Sequence, residues 1–165
     1  MPIIKDCELW FAKLDPRRPN AKFNKENPTW EVQIRTTDKV TKKIWEELSL
    51  PVKAVVPDEG APFWRVNLRK KTIKENKELA SPVKVVNGKL EELDPNSIGN
   101  GSIGNIRIFQ YEFPQKSGGK GVASVLMGIQ VTKHIVYTPK PRNDDFEQTD
   151  SEVVDPDGEA TDNAY

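Results

Sequence analysis

The sequence is poor in the residues that carry covalent and metal chemistry. Its 165 residues include one cysteine, Cys7, and one histidine, His134. A lone cysteine excludes an internal disulfide and gives no reason to expect export. Structural zinc wants four soft ligands at short spacings, which two isolated residues do not supply. One histidine without a paired serine or cysteine motif makes no nucleophilic triad. Long apolar runs are missing too. The most apolar stretch, 122–131, is too short and too interrupted to span a membrane. No basic-plus-apolar leader opens the chain. These absences lead us to expect a soluble intracellular protein that is not an enzyme, with no cofactor and no metal.

Positive charge is the next absence, and it is local. Lysine plus arginine equals aspartate plus glutamate, 25 each, for a formal net charge of zero. Taken as one number, zero argues against a polyanionic partner. Yet residues 144–165 hold nine acidic residues and no basic one, so residues 1–143 carry a net +9. We read 1–143 as one domain and 144–165 as a flexible acidic tail of disordered composition. With 36% apolar residues overall, the domain closes one modest core.

The elements read mainly as strands. Residues 3–14 are rich in β-branched and aromatic residues. Residues 15–28 form a proline-rich basic loop with Arg17, Arg18, Lys22 and Lys25. Residues 29–36 and 63–71 alternate with period two, as half-buried strands do. Further strands are expected at 82–86, 106–113 and 122–137, with turn-rich sequence from 94 to 105. Residues 38–48 make the one convincing helix, capped by Thr37 or Asp38, with Val40, Ile44, Trp45 and Leu48 as its apolar face. Five or six short strands and one amphipathic helix predict a small β-barrel, best sized as an OB fold.

Two glycine motifs invite a phosphate-binding reading and fail it. Gly99, Gly101 and Gly104 match G-x-G-x-x-G, but a strand follows instead of a helix, so a tight turn is the better use. Gly118-Gly119-Lys120-Gly121 lacks the spacing of a P-loop. The informative pattern is aromatic and basic. Trp10, Phe11, Phe23, Trp30, Trp45, Phe63, Trp64, Phe109, Tyr111, Phe113 and Tyr137 are interleaved with lysine and arginine. Trp30 and Trp45 are expected in the core. Opposite the aliphatic stripes stand Phe63, Arg65, Asn67 and Arg69 on one strand, and Arg107, Phe109 and Tyr111 on another. Such faces suit stacking on unpaired bases with phosphate contact. The candidate platform is Phe63, Arg65, Phe109 and Tyr111; Arg69, Lys70, Lys71, Arg107 and Lys120 are the candidate phosphate contacts. In the tail, Asp144, Asp145, Phe146, Asp155, Asp157, Asp162 and Tyr165 are candidates for binding a partner protein. A polyanion tethered to a basic body also competes for its groove at high effective concentration.

Several of these pieces resemble bacteriophage single-stranded DNA-binding proteins of the OB-fold group that includes the phage T7 type. They are Glu8-Leu9-Trp10-Phe11-Ala12, Pro82-Val83-Lys84-Val85-Val86 followed by Asn87-Gly88, Ile98-Gly99-Asn100-Gly101-Ser102, and the acidic tail ending in an aromatic. The resemblance implies sequence-independent binding of single-stranded DNA in phage replication, recombination and repair, in the cytoplasm of the infected host. It implies that the tail contacts phage DNA polymerase and helicase-primase, and that some members form homodimers. No membrane partner is expected. Two other readings stay open: a β-barrel adaptor working through its tail, and a small metal-dependent nuclease with a carboxylate pair that includes Glu31 or Glu112.

Overall fold

The computed structural model describes residues 1–22 and 25–137. Phe23 and the whole acidic segment, including Asp144, Asp145, Phe146, Asp155, Asp157, Asp162 and Tyr165, lie outside the described residues, as does the expected boundary at 143.

The described chain runs β1 (Ile3–Lys13), β2 (Thr29–Thr36), α1 (Lys39–Glu47), β3 (Lys53–Val55), β4 (Phe63–Lys71), β5 (Lys84–Asn87), β6 (Ser102–Pro114) and β7 (Lys120–Lys133). A 3-10 turn at Pro95–Ser97 precedes β6. β2 and β4 pair antiparallel without a break, from Thr29 opposite Lys71 to Thr36 opposite Trp64. β1 pairs with β2 on one edge and β6 on the other. β6 and β7 form a long hairpin, and β7 meets β4 in parallel at Arg69 opposite Val125. That contact closes the ring β1-β2-β4-β7-β6 into a five-stranded barrel of the OB type. β3 lies along the first part of β4, and β5 runs parallel to the later part of β7.

Alternation decides what fills the barrel. Val32 and Ile34 of β2, Val66 and Leu68 of β4, Ile106 and Ile108 of β6, and Leu9 of β1 are all buried to within about one per cent. Each such side chain contributes roughly 1.5–3 kcal/mol on leaving water. A one-residue slip of any strand would turn that set outward, so the pattern sets the register. Trp30 and Trp45 are in the core as expected.

Three features differ from the sequence-based expectation. The short strand β3 forms where the sequence pattern marks no element, and β6 begins at Ser102 inside the stretch read as turns. The apolar face of α1 is rotated. Trp45 is buried, but Val40 and Ile44 are 67% and 50% exposed. At about 100° per residue they stand roughly 140° and 100° round the helix from Trp45, beyond the strip that touches the barrel. Asp38 is the cap: its carboxylate accepts from the Thr41 hydroxyl at 2.8 Å and from the Val40 and Thr41 amides at 3.3 Å. Those bonds hold its pKa below the ordinary value.

Candidate nucleic-acid interface

The outward residues of β2 and β4 stand opposite one another in rows. Glu8 of β1, Arg35 of β2, Arg65 of β4 and Lys53 of β3 share one row, which places three cations on adjacent strands. Like charges facing across strands are unfavourable until a counter-charge arrives. The next row is Trp10, Gln33 and Asn67. Gln33 and Asn67 bond side chain to side chain at 3.0 Å, and Arg35 Nε donates to Gln33 Oε1 at 2.7 Å.

Arg35 organises the aromatics. Its guanidinium carbon lies 3.9 Å from the Trp10 ring centre, 4.2 Å from Phe63 and 5.2 Å from Phe11. Trp10 and Phe11 meet edge to face at 5.8 Å. Two neighbouring residues of one strand share this surface because β1 bulges there. Its pairing shifts between Trp10 and Lys13, and Phe11 adopts φ +52°. The glycine turn before β6 braces the bulge: Asn100 Oδ1 accepts the Phe11 amide at 2.8 Å, and the Gly101 amide donates to the Leu9 carbonyl at 2.8 Å. Gly101 sits at φ +93°, where a side chain would strain the turn. The G-x-G-x-x-G segment is therefore a brace for an aromatic, and Phe11 is left 52% exposed. Partial burial lowers the Arg35 pKa from its ordinary value, as does Arg65, against an opposing pull from Glu8.

The barrel closure joins the two candidate faces. Glu31, Arg69, Val125 and Phe109 form one row across β2, β4, β7 and β6. Phe109 and Tyr111 follow on the same side of β6, with ring centres 6.2 Å apart and 45% and 48% exposure. Phe63, Arg65, Arg69, Phe109 and Tyr111 thus share one continuous outer surface. Lys71 is exposed at the end of β4, facing Thr29. Lys120 lies at the hairpin end, 3.5 Å from Glu112. Lys70 does not join them. It alternates to the side of Val66 and Leu68 opposite Trp30, and partial burial with Lys74 nearby lowers its pKa. Arg107 is outward, but two residues beyond Phe109 and away from β4.

Two loops flank this surface. The described part of the loop between β1 and β2 is rooted by Asp15, whose carboxylate accepts from Asn96 Nδ2 and the Arg17 amide at 2.9 Å each. The Asp15 carbonyl accepts the Trp30 indole N–H at 3.2 Å. Asn20 of this loop bonds Glu31 at 2.7 Å, which brings the basic loop to the edge of the Arg69 row. Residues 115–119 turn the hairpin at the other side.

The remaining polar groups are accounted for by structure. Glu31 is held by Arg69, Asn20 and Thr29, and Glu112 by Lys120. Glu31 stands opposite Lys13 and Arg69, and Glu112 stands opposite Val122. Among the described residues no three His, Cys, Asp or Glu side chains gather as metal ligands do. His134 lies 2.9 Å from the Ser97 carbonyl, and burial pushes the Cys7 thiol up to about 12.

Arg35, Lys53, Trp10 and Phe11 join this surface although the sequence pattern did not single them out as candidates. Arg35 was visible on the outward stripe of β2, but its neighbours come from three other segments. Trp10-Phe11 is an adjacent aromatic pair in a strand, and such a pair signals a bulge when both rings share a surface.

Solved structures with this fold include three structures of two phage proteins. The single-stranded DNA-binding protein of bacteriophage Enc34, in complex with single-stranded DNA, superposes with TM-score 0.57 and 19% identity, over 85% of this chain and 88% of that one. A C-terminal truncation of the Enc34 protein gives 0.55 and 20%, over 81% and 85%. The bacteriophage T7 single-stranded DNA-binding protein gp2.5 gives 0.50 and 13%, over 93% and 96%. No family model and no curated protein matches the sequence. The structural likeness establishes the shared fold, and it falls on the group that the sequence motifs resemble.

Proposed function

We propose that this chain is a non-enzymatic protein that binds single-stranded DNA without reading its sequence. The observation that carries the reading is the Arg35 stack. A guanidinium between Trp10 and Phe63 lies on the outer face of β2 and β4, beside Arg65 and Lys53. In OB folds this face, with the loops after the first strand and before the last, is where oligonucleotides bind. Here those loops are 14–28 and 115–119. Aromatic rings accept any base, and arginines take the phosphates between them. The Enc34 and T7 proteins of the same fold are named for that activity.

The strand would run along β4 from Phe63 to Arg69 and cross β7 to Phe109 and Tyr111. Arg65, Arg69, Lys71 and Lys120 would neutralise phosphates. Segment 144–165, with nine acidic residues, would compete for this surface and recruit replication proteins such as polymerase and helicase-primase. The setting would be phage replication, recombination and repair in an infected bacterium, with homodimers as the resemblance implies.

Fluorescence titration with oligo-dT against duplex of equal length tests the reading. Oligo-dT should bind more tightly, with an affinity that falls as salt rises. Equal or absent binding would sink it.

A further inference from the structure

We propose that the DNA path does not end at Phe109 and Tyr111 but continues into a groove between β5 and β6 that holds one further nucleobase between two phosphates. This inference rests on the DNA-binding reading and extends its surface to Lys84 and an apolar groove, which gives the candidate phosphate contact Arg107 a second cation across a bare floor.

The groove is a consequence of one glycine. Lys84 of β5, Gly128 of β7, Arg107 of β6 and Ile3 of β1 stand side by side in a single row. Gly128 offers no side chain, so the row has a bare floor between two cations. The resulting groove has a volume of about 240 Å³, with Ile3, Leu90 and Met127 among its apolar walls. Ile3 and Leu90 are exposed hydrophobic residues, 49% and 71%. An apolar slot of nucleobase size with a cation on each side has the chemistry of an unpaired nucleotide site.

The groove adjoins the surface already described. The Arg69, Val125 and Phe109 row crosses β7 three residues before the Lys84, Gly128 and Arg107 row. Three residues would ordinarily reverse the side a strand presents. Pairing between β6 and β7 shifts at this place: Ile108 faces Leu126 and Arg107 faces Gly128, which leaves Met127 as the extra residue. The bulge keeps both rows outward, and Arg107 stands two residues, about 7 Å, along β6 from Phe109. Neither Lys84 nor Arg107 makes an ion pair with a described residue.

The polar walls would not add a sequence code. Asn105 Nδ2 donates to Gln130 Oε1 at 3.1 Å, Asn105 Oδ1 accepts the Asp6 amide at 3.0 Å, and Gln130 Nε2 donates to the Gly88 carbonyl at 3.3 Å. With both amides engaged by the protein, the slot selects a base by its flat apolar faces.

The experiment compares the parent with a Lys84→Ala/Arg107→Ala double variant of the full chain, both substitutions being at exposed positions. The probes are an oligo-dT of about 6 nucleotides and one of about 20, chosen to bracket OB-fold site sizes of roughly 4–16. The double variant should bind the short probe within about twofold of the parent. It should bind the long probe about tenfold or more weakly, with a salt slope shallower by about 1.4, two phosphates at about 0.7 each. Arg107→Glu alone should weaken the long probe further than Arg107→Ala. Unchanged binding of the long probe, or equal loss on both, overturns the groove while leaving the DNA reading intact. A parent that binds neither probe overturns both.

Discussion

Arg35→Lys is the substitution that separates a stacked platform from a patch of charge. Arginine and lysine carry the same charge, but only the planar guanidinium fills the space between two rings. Arg35 makes two close ring contacts, at 3.9 Å to Trp10 and 4.2 Å to Phe63, and a longer one at 5.2 Å to Phe11. Each contact is worth about 0.5–1 kcal/mol at a partly exposed site. Losing the two close ones frees Trp10 and Phe63 from their set orientation, so their ability to stack falls with them. A stacked base contributes roughly 1–3 kcal/mol, which is about 5- to 150-fold in affinity if one stack is lost. Arg35→Ala should therefore bind oligo-dT about 10- to 100-fold more weakly and flatten the salt slope by about 0.7, one phosphate. Arg35→Lys should keep the slope and lose most of the affinity at high salt, where charge counts least. Titrations at several salt concentrations, followed by quenching of Trp10 fluorescence, read both quantities. If Arg35→Lys matched the parent at high salt, the guanidinium would be acting as a point charge and the platform argument would be wrong.

Three further predictions follow from the same geometry. Asn100→Ala removes the acceptor for the Phe11 amide, a bond worth about 0.5–1.5 kcal/mol, and should weaken oligo-dT binding by up to about tenfold; Asn100→Asp should restore it. Combining Asn100→Ala with Phe11→Ala should then cost no more than Phe11→Ala alone, and additive losses would show that the turn does not act through Phe11. Asp15 has its pKa lowered from 3.8, first by the Asn96 bond and then by the Arg17 amide. A lowered folded value means that its stabilisation is complete above about 3.8 and disappears as pH falls through the folded value. The urea midpoint should accordingly drop more between pH 7 and pH 3 in the parent than in Asp15→Asn, and equal drops would refute the assignment. Deleting 144–165 removes nine acidic residues and should tighten oligo-dT binding, most at low salt. Unchanged affinity would remove the competition model.

The barrel was legible because its core strands alternate. Val32 and Ile34, Val66 and Leu68, and Ile106 and Ile108 each announce an inward face, and all are buried. The helix was legible in extent but not in orientation, since Val40 and Ile44 satisfy the same apolar spacing whether or not a neighbour covers them. Half of the aromatic surface was legible by the same alternation: Phe63 with Arg65 and Arg69, and Phe109 with Tyr111. Lys70 was misplaced because composition counted it among the basic residues, while alternation sends it to the other side.

By itself the sequence determined the charge separation, a +9 body joined to an acidic segment, and the alternating strands that close one small barrel. These depend only on residue order and on the two-residue period of a strand. Which side chains meet depended on the tertiary structure. Arg35 of β2 reaches Trp10 and Phe11 of β1 and Phe63 of β4, and a bulge turns Phe11 to join Trp10. Arg69 and Phe109 come into one row because β7 pairs with β4 in parallel. Pairings between distant segments are set by how the whole barrel closes, and no local pattern in the chain encodes them.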